Sequence, residues 1–172
     1  SHRHGSAVCS AMAFEIREAD FSDRVHAAGI VSVLDSYASD PVGGGEPLPP
    51  DVRERLVSEL RNHPTVLVLL AFSLEKPVGV AVCFFGLSTF EARPLLNVHD
   101  LAVVPGFRGK GVGRALLSEV EDRARRRGCC KLTLEVQEDN AIARSLYRDF
   151  GFSDVRLGDS LSTRFLSKML KP

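Results

Sequence analysis

A mixed α/β fold, a central sheet of six to seven strands flanked by about four helices, is what this sequence predicts. Three observations carry the expectation. Runs of alternating or continuous apolar residues interleave with stretches of helical period, in the order β-α-α-β-β-β-α-β-α-β. A length of 172 residues suits one domain, with 44% hydrophobic residues to build its core. The longest apolar run, Val66 to Phe72, is far too short to cross a bilayer.

Each element has a local reason. Phe14–Arg17 alternates apolar and polar and reads as a first strand; Asp20 then stands where it can cap a helix with Ile30, Val33, Leu34 and Tyr37 on one face. The stretch 40–50, with three glycines and four prolines, is a loop, and Val52, Leu56 and Leu60 define a second helix that stops before Pro64. Thr65–Leu74 and Val78–Leu87 are β-rich runs joined at Glu75-Lys76-Pro77, and Leu95–Val104 is a further strand. Gly111–Arg127 follows as a helix, Lys131–Val136 as a strand, Asn140–Phe150 as a helix and Arg164–Leu170 as a last strand, with a small extra strand near Phe152–Val155. Residues 13–172 are expected to form a single domain. Residues 1–12 look like a tag or disordered segment, with Met12 a plausible native start.

Lys+Arg and Asp+Glu balance at 22 each, which argues against a coat for nucleic acid or anionic membrane. The basic run Arg123, Arg125, Arg126 and Arg127 ends a helix and is interleaved with Glu119, Glu121 and Asp122, so it reads as a solvated helix end. Cys9, Cys83, Cys129 and Cys130 form no CxxC pair and no zinc spacing, so no metal is expected; buried reduced thiols in a cytoplasmic protein are.

Chemistry concentrates in Leu101-Ala102-Val103-Val104-Pro105-Gly106-Phe107-Arg108-Gly109-Lys110-Gly111-Val112-Gly113-Arg114. A strand runs into a glycine-rich turn that opens a helix with the apolar stripe Val112, Leu116, Val120 and Ala124. Free backbone N–H groups and the positive end of the helix dipole then converge, with Arg108, Lys110 and Arg114 adding charge, which predicts a phosphate or pyrophosphate site. No Gly-Lys-Ser/Thr occurs, so the loop is not a nucleoside-triphosphatase P-loop, and its glycine intervals do not fit the dinucleotide fingerprint.

Arg108-x-x-Gly111-x-Gly113 after Leu-Ala-Val-x-Pro, and Asn140-x-x-Ala143-x-x-Leu146-Tyr147-x-x-x-Gly151-Phe152, together resemble the two signatures of the GNAT superfamily of N-acetyltransferases. The resemblance implies a GNAT-like fold and transfer of an acetyl group from acetyl-CoA directly to a primary amine of a small molecule or peptide. It implies that Arg108, Gly109, Lys110, Gly111, Val112, Gly113 and Arg114 hold the coenzyme pyrophosphate. Leu101, Ala102 and Val103 would run beside the pantetheine arm and supply an oxyanion-hole N–H. Asn140 would bond the pantetheine, and Tyr147 would lie near the sulfur and protonate the departing thiolate. The base is Glu135, a carboxylate in the apolar run Leu132–Val136 where desolvation would raise its pKa, or His99 on the fourth strand. The superfamily's fourth-strand glutamate position is Asn97 here, and Asp100 is expected to point away from His99. Asp40 and Glu46 in the 40–50 loop could neutralise a cationic acceptor. A homodimer is allowed, without nucleic acid or membrane as partner. An acyl-CoA-binding sensor or an enzyme for longer acyl groups are the alternatives on the same fold.

Overall fold

A computed structural model describes residues 14–157 and 161–170. The expected tag or start around Met12, and Cys9, lie outside the described residues. Two compact units are present, divided after Glu135.

The first unit is built on a five-stranded sheet in sequential order: β1 (Glu15–Glu18), β2 (Val66–Ser73), β3 (Lys76–Ser88), β4 (Arg93–Val103) and β5 (Leu132–Leu134). The first four pair antiparallel. β5 joins β4 in parallel because helix α3 (Val112–Arg126) makes the crossover. Helices α1 (Arg24–Ser39) and α2 (Pro50–Asn62) complete the unit.

The near-continuous apolar sequence of β2, Val-Leu-Val-Leu-Leu-Ala-Phe, follows from burial on both faces. Val68, Leu70 and Phe72 pack with Val80, Val82 and Ala102 under Ile30, Val33 and Leu34 of α1 and Leu60 of α2. On the opposite face α3 sits so close to β3 that a Cβ at Gly79 would lie 2.8 Å from Val112 Cγ1 and 3.2 Å from Leu116 Cδ1. The glycine therefore sets the depth at which α3, and the loop that opens it, rests on the sheet. Fully buried side chains such as Leu69, Leu70 and Leu116 each contribute about 1.5–3 kcal/mol through removal from water.

Several boundaries differ from the sequence expectation. The cap of α1 is Asp23, whose side chain accepts from the Val25 and His26 N–H groups; Asp20 instead accepts from the Ser22 N–H in the preceding turn. The β2–β3 turn falls at Leu74-Glu75, both with positive φ (49° and 63°), because a primed two-residue turn matches strand twist. Pro77 thereby enters β3 beside a register shift, where its missing N–H is tolerated. The 40–50 loop contains a 3₁₀ turn at Pro41–Gly43.

The second unit holds α4 (Ala141–Asp149) and a ribbon of β6 (Arg156–Leu157) and β7 (Leu161–Ser162), which pair with each other. The central sheet thus has five strands rather than six to seven. The strand expected at Arg164–Leu170 is irregular and exposed. Its apolar residues come as the pairs Phe165-Leu166 and Met169-Leu170, which strand alternation cannot gather on one face. The small strand expected at Phe152–Val155 forms just beyond it, as β6.

Candidate active site

The glycine-rich loop forms as a 3₁₀ turn, Pro105–Phe107, then residues 108–111, then α3. Gly109 and Gly111 have φ of +72° and +87°, values that favour glycine. A Cβ built at either would meet nothing within 4 Å, so the glycines serve backbone shape and leave open space above the loop. Gly111 caps α3 without a side-chain hydrogen bond, and no acidic residue sits in the first turn. The orphan N–H groups of that turn and the dipole's positive end face this space, a cradle for an anion.

The three cations are not equivalent. Lys110 Nζ lies 5.4 Å from the Phe107 ring centroid. Arg108 turns away from the cradle: its Nε donates to the Val103 carbonyl at 3.1 Å and one terminal nitrogen pairs with Asp40 at 2.8 Å. Asp40 also accepts from the Val42 N–H, and these bonds hold its carboxyl below the usual carboxylate range. Arg108 thus fastens the glycine-rich loop to the end of α1, and its charge is already matched. Asp40, expected to meet a cationic acceptor, is committed to that clasp, and Glu46 lies exposed on the loop.

Beside the loop, β4 pairs with β5 only over Leu96–Val98. Beyond Val98 the β5-side edge of β4 has no ladder partner among the described residues. The Val104 N–H donates to the Val78 carbonyl at 2.9 Å, so by antiparallel alternation Ala102 also bonds toward β3, while Leu101 and Val103 turn their N–H groups to the open edge. Of the three residues predicted to face a pantetheine arm, Leu101 and Val103 therefore have donors to offer and Ala102 does not.

The register of β4 changes at its centre. Val98 pairs with Cys83 and Asp100 with Val82, leaving His99 as the extra residue of a β-bulge. The bulge corrects the expectation for Asp100. Instead of pointing away, it turns to the α1–α2 face, where it lines a cavity of about 270 Å³ with Leu34, Tyr37, Leu48, Val52 and Leu56. Burial pushes its carboxyl above the usual range, opposed by the nearby His99. Burial, then Asp100 and Asp40, also raise the Tyr37 phenol, with Arg108 opposing. Strict strand alternation hides the placement of Asp100; the charged pair His99-Asp100 inside an apolar strand is the signal the sequence offers.

His99 is exposed, its ring edge-on to Phe84 at 5.6 Å. Asn97 bridges β4 and β5 by donating from Nδ2 to Thr133 Oγ1 at 3.0 Å. Glu135 falls just past the end of β5 and is exposed, so the apolar surroundings expected for it are lacking. The thiols also differ: Cys83 is buried, its pKa pushed up to about 12, whereas Cys129 and Cys130 are half-buried. Arg123 and Arg125 pair with Glu119 and Glu121, as a solvated helix end should.

In the second unit, Asn140 caps α4, its Oδ1 accepting from the Ala143 N–H at 3.2 Å, so a ligand contact would fall to its amide NH₂. Tyr147 is half-buried, with its ring edge-on to Phe152 at 5.8 Å.

Residues 30–152 match the acetyltransferase (GNAT) family. The chain belongs to that family. It is 33% identical over 145 residues to an uncharacterized N-acetyltransferase of Bacillus subtilis, covering 81% of this chain and 89% of that protein. It is 34% identical over 116 residues to an N-alpha-acetyltransferase of Mycobacterium tuberculosis, covering 66% of each. Among solved structures, an aminoglycoside acetyltransferase from an uncultured soil metagenomic sample superposes with a TM-score of 0.72 over 92% of this chain and 97% of that one, at 16% identity. The GNAT chain is therefore an acyltransferase. Among the described residues, no cluster of metal-ligating side chains occurs and no helix is long and apolar enough to cross a membrane.

Proposed function

We propose that this GNAT protein transfers an acetyl group from acetyl-CoA directly to a primary amine. The observation that carries the reading is one continuous stretch, 101–114: two outward N–H groups on an open strand edge lead into a loop whose left-handed glycines clear space before the uncapped start of α3. This fits a long thioester ending in a pyrophosphate, because the anion is met by backbone donors and the carbonyl by a strand N–H. Acetyl-CoA supplies the thioester carbonyl carbon. The chain's residues do the rest. First-turn N–H groups of α3 hold the pyrophosphate, and the Leu101 or Val103 N–H polarises the carbonyl oxygen. Glu135 or His99 takes a proton from the ammonium, since only the free amine has a lone pair. As the C–N bond forms and the C–S bond breaks, the electron pair leaves on sulfur, the Tyr147 phenol gives a proton to it, and the proton that the nitrogen sheds as the amide forms restores the phenol. Asn140 contributes an amide donor to the pantetheine.

Isothermal titration with coenzyme A, followed by thiol release from acetyl-CoA across an amine panel, tests the reading. Micromolar affinity with amine-dependent release is expected. Binding without transfer to any amine would favour a sensor, and faster release from longer acyl thioesters a different donor.

A further inference from the structure

We infer that the cavity between α1, α2 and the bulge of β4 selects a small amphipathic monoamine, an apolar body bearing one ammonium that pairs with Asp100. The inference rests on the acetyltransferase reading and names its acceptor.

Its size, lining and charge all bear on the acceptor. At about 270 Å³, the cavity lies at the small end of the range for ligand sites, which suits a short aralkyl- or alkylamine. Leu34, Leu48, Val52 and Leu56 offer no hydrogen-bonding side-chain atoms, so the body they contact must itself be apolar. The lining charge is Asp100, reached from β4; the Tyr37 hydroxyl is the neighbouring polar group. A carboxylate in an apolar wall is costly until a cation joins it, so an ammonium with a greasy tail is the ligand that relieves both demands at once.

The bulge gives the pairing its place. Because His99 is the extra residue, Asp100 enters the cavity one residue before Leu101, whose N–H faces the open edge of β4. The ammonium site and the proposed carbonyl donor are thus neighbours along one strand. The clasp from Arg108 to Asp40 closes the end of α1 that carries Tyr37, tying the cavity wall to the phosphate loop.

The same features reject other amines. An aminoglycoside or polyamine would bring extra hydroxyls or ammoniums against an aliphatic wall, and each buried polar group left unpaired costs roughly 5- to 150-fold in affinity. A peptide N-terminus carries an amide within a few bonds of its amine and meets the same wall.

The test measures thiol release from acetyl-CoA with 2-phenylethylamine, hexylamine, spermidine, kanamycin and an alanyl hexapeptide. Expected is a kcat/KM for the two monoamines at least about 100-fold above that for the other three. Asp100→Asn should lower monoamine kcat/KM by about 100-fold or more with coenzyme A affinity unchanged, and Ala38→Leu, which fills the cavity from α1, should raise monoamine KM about tenfold. Coenzyme A titration of each variant reports whether it is folded, and the Ala38 variant decides if the Asp100 variant is not. Preference for kanamycin, spermidine or the peptide overturns the acceptor class while the acetyltransferase reading stands. No transfer to any of the five amines overturns both.

Discussion

Gly111→Glu separates the proposed coenzyme cradle from the fold that carries it. A Cβ at this position meets nothing within 4 Å, so the substitution brings no clash in the ligand-free protein. The cost lies in the backbone: φ of +87° is left-handed, and a side chain there costs about 1–2 kcal/mol. Part of that returns, because a carboxylate at an uncapped helix start gains about 0.3–1 kcal/mol from the dipole. The net penalty of about 1 kcal/mol corresponds to a melting temperature lower by about 2–4 °C in a chain of this size. Coenzyme binding should suffer far more. The new carboxylate occupies the space and the first-turn donors that a pyrophosphate needs. Losing two charge-assisted hydrogen bonds, at about 1.5–3 kcal/mol each, predicts a Kd weaker by about 10²–10⁴-fold. Isothermal titration with coenzyme A reads the second quantity and a thermal melt the first. Gly111→Ala, with the same φ penalty and no charge, should fall between wild type and the Glu variant. A Glu variant that melts as expected yet binds within threefold of wild type would refute the cradle, and a variant that fails to fold would refute the open geometry.

Tyr147→Phe should keep coenzyme A affinity and lower kcat by about 10²–10⁴-fold if the phenol returns the proton to sulfur, measured by thiol release at saturating amine. Of Glu135→Gln and His99→Gln, one should remove the acidic limb of the kcat/KM pH profile and the other leave it, and near-full activity in both would take the base away from these residues. Asp40→Asn should weaken coenzyme A binding by loosening the loop that Arg108 fastens, while its melting temperature falls by no more than about 4 °C because the pair is partly exposed. Asp100 predicts a pH-dependent stability. Its folded pKa is raised, so the native state binds more protons than the unfolded chain above pH 3.8, and stability falls as pH rises through the folded pKa. The groups facing it are His99 from its own strand and Tyr37 from α1, while Cys83 of β3 feels its charge from the other face of the sheet. Asp100→Asn should therefore melt increasingly above wild type as pH rises from about 3.8 through the raised folded pKa, and melting curves that stay parallel as pH rises would show the carboxylate is not desolvated.

The shape of the glycine-rich loop was legible because its information is local. Left-handed turns need glycine, an anion-binding helix start wants no acidic cap, and both demands fall within six consecutive residues, 108–113. The same holds for β2, whose unbroken apolar run could only be a strand covered on both faces. The clasp between Arg108 and Asp40 spans 68 positions, and no rule of spacing links a basic residue in one loop to an acidic one at the far end of a helix. Glu135 shows the reverse error. An apolar run of Leu132 to Val136 implies a strand, but only Leu132–Leu134 find partners on β4, and the carboxylate falls past the last of them.

Asp100 is the most instructive case, because a single inserted residue changes the face on which it lies. In a strand of strict period two, His99 and Asp100 must face opposite ways, and the carboxylate would be assigned to structure. One extra residue opposite the Val82–Cys83 step breaks that parity and turns Asp100 with Val82 toward α1. A bulge leaves no composition signal when neither residue is glycine. What the sequence does contain is a cost: Asp100 stands between Val98 and Ala102, both buried, and Leu101 beside it is half-buried. A chain keeps a desolvated carboxylate in such a place at the expense of stability, since an apolar residue of similar size would pack the α1–α2 face at no charge penalty. An ammonium drawn into the same cavity offsets that penalty only while it is bound. The site is then costly when empty and favourable when filled, and that difference is the driving force with which an amine would be captured beside the open edge of β4.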